Sequence, residues 1–201
     1  MDNTIHLNHL RCELKKFVSF SDAEWEIFKQ YLEFRHYDKK EFFAVPDKVC
    51  DHMGFILHGA MRYFHVREGV EITGYFSFEN ELVSAYKSFL TRLPNTNYIQ
   101  AIEKTTLILI AKKNFELMEN NPAIAFKIEQ FGRRIAEYYI CCYEDRVASF
   151  IIQSPEERYL DMQKNAGEIF LRIPQHYVAN FLGITPVSLS RIRKRTLKVH
   201  A

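Results

Sequence analysis

The chain lacks any apolar run long enough to span a bilayer, and its start lacks the apolar core segment of a secretory signal. A cytoplasmic protein is therefore expected, with no membrane partner. The four cysteines (Cys12, Cys50, Cys141, Cys142) have no metal-ligand spacing. Adjacent Cys141 and Cys142 on a helix point to different faces, so buried free thiols in a reducing compartment are expected. His6 and His9 sit one helical turn apart without a third ligand nearby, which makes them surface histidines and leaves metal: none. No nucleophile–base pairing or glycine-rich phosphate loop is present, so an enzyme is not expected. Internal repeats and low-complexity segments are absent too. The last absence is local. From Ile169 to the C-terminus there is no Asp or Glu, against six basic residues (Arg172, Arg191, Arg193, Lys194, Arg195, Lys198).

What is present fits a globular protein: 201 residues, 47% hydrophobic and 26% charged, enough for one large or two small domains. The net charge of +2 hides an asymmetry. Without the six C-terminal cations, 21 basic residues stand against 25 acidic ones, a net of −4. An acidic body with a basic tail places a nucleic-acid surface at the C-terminus.

The segment 173–195 carries the pattern that explains the tail. Val178, Leu182, Ile184, Leu189 and Ile192 fall where two short helices sharing one small core need apolar residues. Ala179 is small where the helices cross, and Gly183 suits a sharp turn that requires positive φ. Thr185 reads as an N-cap, followed by Pro186 at the first helical position. This is a helix-turn-helix pattern. The second helix leaves Val187, Ser188, Ser190, Arg191 and Lys194 facing outward. Arg suits guanine edges, Val suits thymine methyls, and Ser suits bases or phosphates. Thr185, Pro186, Arg193 and Arg195 complete the expected DNA-contacting set.

At Ile173-Pro-Gln-His-Tyr-Val-Ala-Asn-Phe-Leu-Gly-Ile-Thr-Pro-Val-Ser-Leu-Ser-Arg-Ile-Arg-Lys194 the chain resembles the catabolite-activator/fumarate–nitrate-regulator (Crp/Fnr) family. The resemblance extends more weakly over nearly the whole chain. It implies a dimeric bacterial transcription regulator with an N-terminal cyclic-nucleotide-binding type β-roll, and RNA polymerase as a partner.

Along the chain, residues 4–16 suit a short helix, and Ser21-Asp-Ala-Glu24 is a capping box opening a helix that carries Trp25, Phe28 and Leu32. From about Phe34 to Ala111 short aromatic and β-branched runs predict strands: 42–45, 55–58, 61–66, 72–76, 99–102 and 106–110. Such spacing indicates an antiparallel barrel or sandwich, and Phe55–Arg62 resembles a corner of the family's roll. The stretch 76–98 interrupts the strands. By resemblance it stands where cyclic-nucleotide binders hold the phosphate, and Glu81 matches the Glu that grips the ribose. Asn80, however, replaces a Gly, and no Arg lies near Asn97-Tyr98. Arg92 is a few residues too early, although a shifted loop could bring it closer to the phosphate, which leaves Glu81 and Arg92 as the candidate ligand contacts. Without a cation a buried phosphate loses its strongest hydrogen bonds, so tight cyclic AMP binding is not expected and a different small effector is left open.

After Pro122 a helix is predicted to run to about Phe150. Ile124, Ile128, Phe131, Ile135, Tyr138 and Cys142 recur at four and three, a heptad seam. A single core-packed helix shows the same pattern; the resemblance makes the seam a dimer interface. Arg133 and Arg134 lie beside it. Ser154-Pro155 caps a further helix to about Lys164, and Asn165-Ala-Gly167 breaks it. After the motif, Leu197–Ala201 is too short for the family's β-hairpin wing.

The expected fold is therefore α+β: a β-roll with N-terminal helices over 1–121, a dimerisation helix over 122–150 and a helix-turn-helix domain over 151–201. The expected function is a homodimeric DNA-binding regulator reading a pseudo-palindrome. A cyclic-nucleotide signalling module whose tail docks on protein is the alternative.

Overall fold

The computed structural model describes residues 3–166 and 169–199. The chain divides into two compact units, Met1–Tyr63 with Phe76–Ile140, and Phe64–Tyr75 with Cys141–Ala201. The division falls inside the long helix, not at either end of it.

In the first unit, α1 (Thr4–Leu14) and α2 (Asp22–Phe28) precede the strands. The Ser21–Glu24 capping box forms as the sequence predicts: the Ser21 hydroxyl accepts from the Glu24 N–H and the Glu24 carboxylate accepts from the Ser21 N–H at 2.6 Å. Leu32 does not extend α2. A 3₁₀ turn ends the helix at Tyr31, and Leu32 opens strand β1 (Leu32–Tyr37). There follow β2 (Phe42–Ala44), β3 (His52–His58), β4 (Met61–Arg67) and β5 (Val70–Ser77), whose residues 64–75 fall in the second unit, then β6 (Leu82–Val83), helix α3 (Tyr86–Thr91), β7 (Tyr98–Ala101), β8 (Thr105–Ala111) and helix α4 (Lys112–Glu119). They form two four-stranded sheets, β1-β8-β3-β6 and β2-β7-β4-β5.

Strand β8 shows why its sequence is apolar without alternation. It lies between β1 and β3, with Ile110 opposite both Leu32 and Met53. Leu107 and Leu109 pack into the interior of the roll, while Ile108 and Ile110 pack under the helices. Both faces are buried, so both need apolar side chains. The interior is filled by Ile56, Met61, Val83, Ile99, Leu107 and Leu109, each 0% exposed. Gly54 on β3 shows how tightly: a Cβ there would lie 2.8 Å from a Leu109 methyl.

The long helix α5 spans Ala125–Ile152. Its seam is real, but it is satisfied within the chain. Ile124, Ile128, Phe131 and Ile135 are 0–1% exposed and share one core with Phe17, Trp25, Phe28, Phe115 and Met118. Phe131 meets Phe28 edge-on at 6.2 Å. These four are thus withdrawn from any interface. Of the six, Tyr138 is 40% exposed and Cys142 half-buried, and Tyr138 rests against Phe17. The periodicity reports a covered face; α1, α2 and α4 cover it. Arg133 and Arg134 pair along the helix with Glu137, at 2.6 and 3.7 Å. All four cysteines are free, and only Cys50 is buried.

The second unit holds the end of α5, then α6 (Pro155–Ala166), α7 (Ile169–Arg172), α8 (Gln175–Phe181) and α9 (Pro186–Val199), with residues 64–75 packed among them. Ser154 and Glu157 form a second capping box, with Glu157 accepting from the Ser154 N–H at 2.7 Å. Helix α6 runs through Asn165 and Ala166; Gly167, expected to break it, lies outside the described residues. The short α7 carries no sequence signal. No described helix is long and apolar enough to cross a membrane.

Candidate nucleic-acid interface

Helices α8 and α9 are built around a shared apolar floor: Val178, Ala179 and Leu182 are 0% exposed, Leu189 2% and Ile192 5%. The turn between them closes by the two bonds of a Schellman motif. The Ile184 N–H donates to the Ala179 carbonyl and the Gly183 N–H to the Asn180 carbonyl, both at 3.0 Å. Gly183 takes φ +72, as the sequence requires of that position. Thr185 then caps α9, its hydroxyl accepting from the Ser188 N–H at 3.1 Å and bonding the Ser188 hydroxyl at 3.0 Å.

The cap and floor fix what α9 presents. Thr185, Pro186, Val187, Ser190, Arg191, Arg193, Lys194 and Arg195 are exposed and Ser188 is half-buried beneath the cap. Among the described residues, Arg191 and Lys194 make no hydrogen bond or ion pair. Two other cations are held by the protein. Arg193 donates to the Gln175 side chain at 3.0 Å, and Arg195 pairs with Glu156 at 2.5 Å. The outward face thus carries a methyl-bearing side chain, hydroxyls and two free cations, with no carboxylate on its helix. Lys198 lies on α9, whose span reaches Val199.

An arginine pair that the sequence does not reveal fixes the carbonyl end of α8. Arg146 lies between the rings of Phe181 and Phe150, at 3.5 and 4.3 Å, and donates to the Phe181 carbonyl at 2.6 Å. Arg158 lies over Phe150 at 4.8 Å and donates to the carbonyls of Leu182 at 3.0 Å and Gln153 at 2.5 Å. Burial, then the nearby Arg158, lower the Arg146 pKa to about 10, which leaves it cationic at neutral pH. Two cations thus satisfy the last carbonyls of α5 and α8, where a helix dipole favours positive charge. The partners on α8 lie 35 and 24 residues away in sequence, so no periodicity marks them. Asn180 grips residues 64–75 in the same unit: its amide donates to the Glu71 carbonyl at 2.7 Å and accepts from the Thr73 N–H.

In the first unit, the residues matched to a cyclic-nucleotide cassette are otherwise engaged. Asn80 adopts φ +69, a left-handed conformation that Asn reaches more readily than most residues. Its side chain bonds His9 at 2.6 Å and its carbonyl accepts from Lys16 at 2.8 Å. Glu81 folds back to accept from the Phe78 N–H at 3.2 Å, and burial raises its pKa. Arg92 pairs with Asp51 and donates to the Cys50 carbonyl at 3.1 Å. Asn95, 7% exposed, bonds the 45–48 backbone: its N–H donates to the Lys48 carbonyl and its carbonyl accepts from the Asp47 N–H. Ser88 accepts from the Cys50 N–H at 3.0 Å. Segment 88–95 therefore braces the loop 45–51. No group of three or more His, Cys, Asp or Glu among the described residues is placed to hold a metal.

No family model matches the chain, and no curated protein sequence matches it. Solved structures do. A CooA variant from Carboxydothermus hydrogenoformans matches with a TM-score of 0.61 at 15% identity, over 90% of this chain and 80% of that one. The c-di-GMP-responsive global regulator CLP of Xanthomonas campestris matches with a TM-score of 0.68 at 10% identity, over 90% and 93%. FixK2 of Bradyrhizobium japonicum matches with a TM-score of 0.66 at 16% identity, over 84% and 86%. The chain has the fold of Crp/Fnr regulators with cyclic-nucleotide-binding domains, as the motif's resemblance implied.

Proposed function

We propose that this protein is a DNA-binding transcription regulator that acts as a homodimer on a pseudo-palindromic operator. The observation that carries it is the outward face of α9. A capped helix on a closed apolar floor displays Val187, Ser190, Arg191 and Lys194 together, with no acid on that helix and the two cations free of protein partners. Arg191 supplies a bidentate fork for a guanine edge and Val187 a contact for a thymine methyl. Lys194 neutralises phosphate, and Arg193 and Arg195 join it by exchanging Gln175 and Glu156 for phosphate oxygens. A regulator of this kind works where the DNA is, in the cytoplasm, and acts on RNA polymerase. No catalytic role is assigned.

A dimer would place two copies of α9 in successive major grooves about 34 Å apart. The surface for it is not the covered seam. Ile140, Tyr143, Val147 and Ile151 are 56–77% exposed and recur at three and four along α5. At 100° per residue they form one stripe, its centre about 130° around the helix from that of Ile128, Phe131 and Ile135. A second copy of the same stripe would cover them as a coiled-coil seam.

The test is selection from a random duplex library followed by anisotropy titration at several salt concentrations. Enrichment of an inverted repeat, with affinity falling steeply as salt rises, is the expected result. If no sequence is enriched and low-salt binding to random duplex is absent, the tail docks on protein instead.

A further inference from the structure

A cavity of about 230 Å³ opens in the first unit between β1, β2 and the loop 45–51. It lies apart from Glu81, and the interior of the roll is filled by its own side chains. Three aromatic residues line it: Tyr37, Phe42 and Phe43. Tyr37 is 4% exposed and forms part of the floor, while Phe42 is 43% exposed at the rim. Two cations line it as well. Arg35 lies over the Tyr37 ring at 5.1 Å, and Lys48 is exposed and has no ion pair among the described residues. The one carboxylate in the lining, Asp51, is already held by Arg92. The uncommitted charge at this cavity is positive, and the three rings share the lining with Ala44, Val45, Val49, Cys50 and His52.

The loop that forms one wall is held in place from outside itself. Asp47 sits at φ +62, a conformation that a non-glycine residue holds only where its surroundings impose it. Here Asn95, Arg92 and Ser88 impose it through five bonds to residues 47–51. Those bonds also decide the ligand's chemistry. The Asp47 and Cys50 N–H groups donate to Asn95 and Ser88, so they are not available to a phosphate. Arg35, Lys48 and His52 are then the side-chain nitrogen donors of the lining. A carboxylate has two oxygens to satisfy, and one Arg fork with one Lys does so. The volume lies below the range of pockets that take drug-sized ligands, which limits the occupant to about a single ring.

We propose that this cavity binds a small monocyclic aromatic carboxylate, its ring among Tyr37, Phe42 and Phe43 and its carboxylate on Arg35 and Lys48. The ligand closes over the loop that segment 88–95 braces, so binding stiffens both together. The site does not depend on DNA binding, and its test needs no DNA.

The experiment is calorimetric titration of the full chain with benzoate, with benzyl alcohol as the uncharged counterpart and inorganic phosphate as the ringless anion. Benzoate is expected to bind saturably, and benzyl alcohol about tenfold more weakly or worse. Arg35→Gln and Lys48→Gln should each weaken benzoate about tenfold while the far-ultraviolet circular dichroism and melting temperature stay unchanged, because both side chains are exposed. Phe42→Ala should weaken benzoate and benzyl alcohol by the same factor. Absence of saturable benzoate binding overturns the proposal. So does phosphate binding as tightly as benzoate, or benzoate affinity that survives both Gln substitutions.

Discussion

Arg191 is the residue on which sequence preference should rest. It is exposed on α9 and makes no hydrogen bond or ion pair among the described residues, so its fork meets DNA without first breaking one of them. Arg191→Ala should cost about 1–3 kcal/mol of discrimination at one base pair while binding to random duplex changes little. Retained preference at every operator position in a competition assay would reject that role. Lys194→Ala should instead weaken all sequences alike and reduce the salt slope by about one. Glu81 gives a prediction of another kind. Burial raises its pKa above the ordinary value of 4.5, so the folded chain keeps a proton that the unfolded chain releases. Its contribution to stability therefore falls as pH climbs from 4.5 through the raised value. Glu81→Gln keeps an acceptor for the Phe78 N–H and should flatten that part of the profile. Urea unfolding of both proteins across this range checks it; parallel curves would mean that Glu81 titrates normally.

At the scale of elements, the carbonyl ends of α5 and α8 depend on the guanidinium groups of two half-buried arginines. Arg146→Met removes the donor to the Phe181 carbonyl and the cation between two rings, and should destabilise the second unit by about 2 kcal/mol. Arg146→Lys should recover only part of that loss, because an ammonium neither stacks flat nor forks. Chemical denaturation followed by a probe in α8 measures both. The helix-turn-helix was legible because every feature of it is local: cap, proline, glycine and apolar spacing lie within 23 residues. The same holds for both capping boxes. The arginine pair was not legible, since its partners meet only after folding. Strand β1 was missed because 3₁₀ closure at Tyr31 lets Leu32 change from a helix to a strand without a glycine or proline to mark it.

At the scale of the whole molecule, the seam on α5 was correctly seen and wrongly assigned. A run of apolar residues at four and three says that something covers that face, and nothing in the run says whether the cover is another chain. The N-terminal helices supply it, and their aromatic residues read as a separate element in the sequence. Ile135→Asp is therefore expected to unfold the first unit, not to split a dimer. Val147→Asp is the discriminating change. Val147 is 56% exposed, so the monomer should fold with a normal melting temperature, while sedimentation shows monomers and operator binding weakens to that of one half-site. A Val147→Asp protein that remains dimeric would move the interface off this stripe.

Helix α5 thus carries one face against its own core up to Ile135 and displays another from Ile140 onward. That makes its length a matter of angular phase. One extra residue between Ile135 and Ile140 would swing the displayed stripe by about 100° relative to the buried face, and a second by about 200°. Seven would return it to within about 20° while lengthening the helix by about 10 Å. The segment should tolerate substitution at its solvent positions far better than any insertion or deletion, and the insertions it does tolerate should come in sevens.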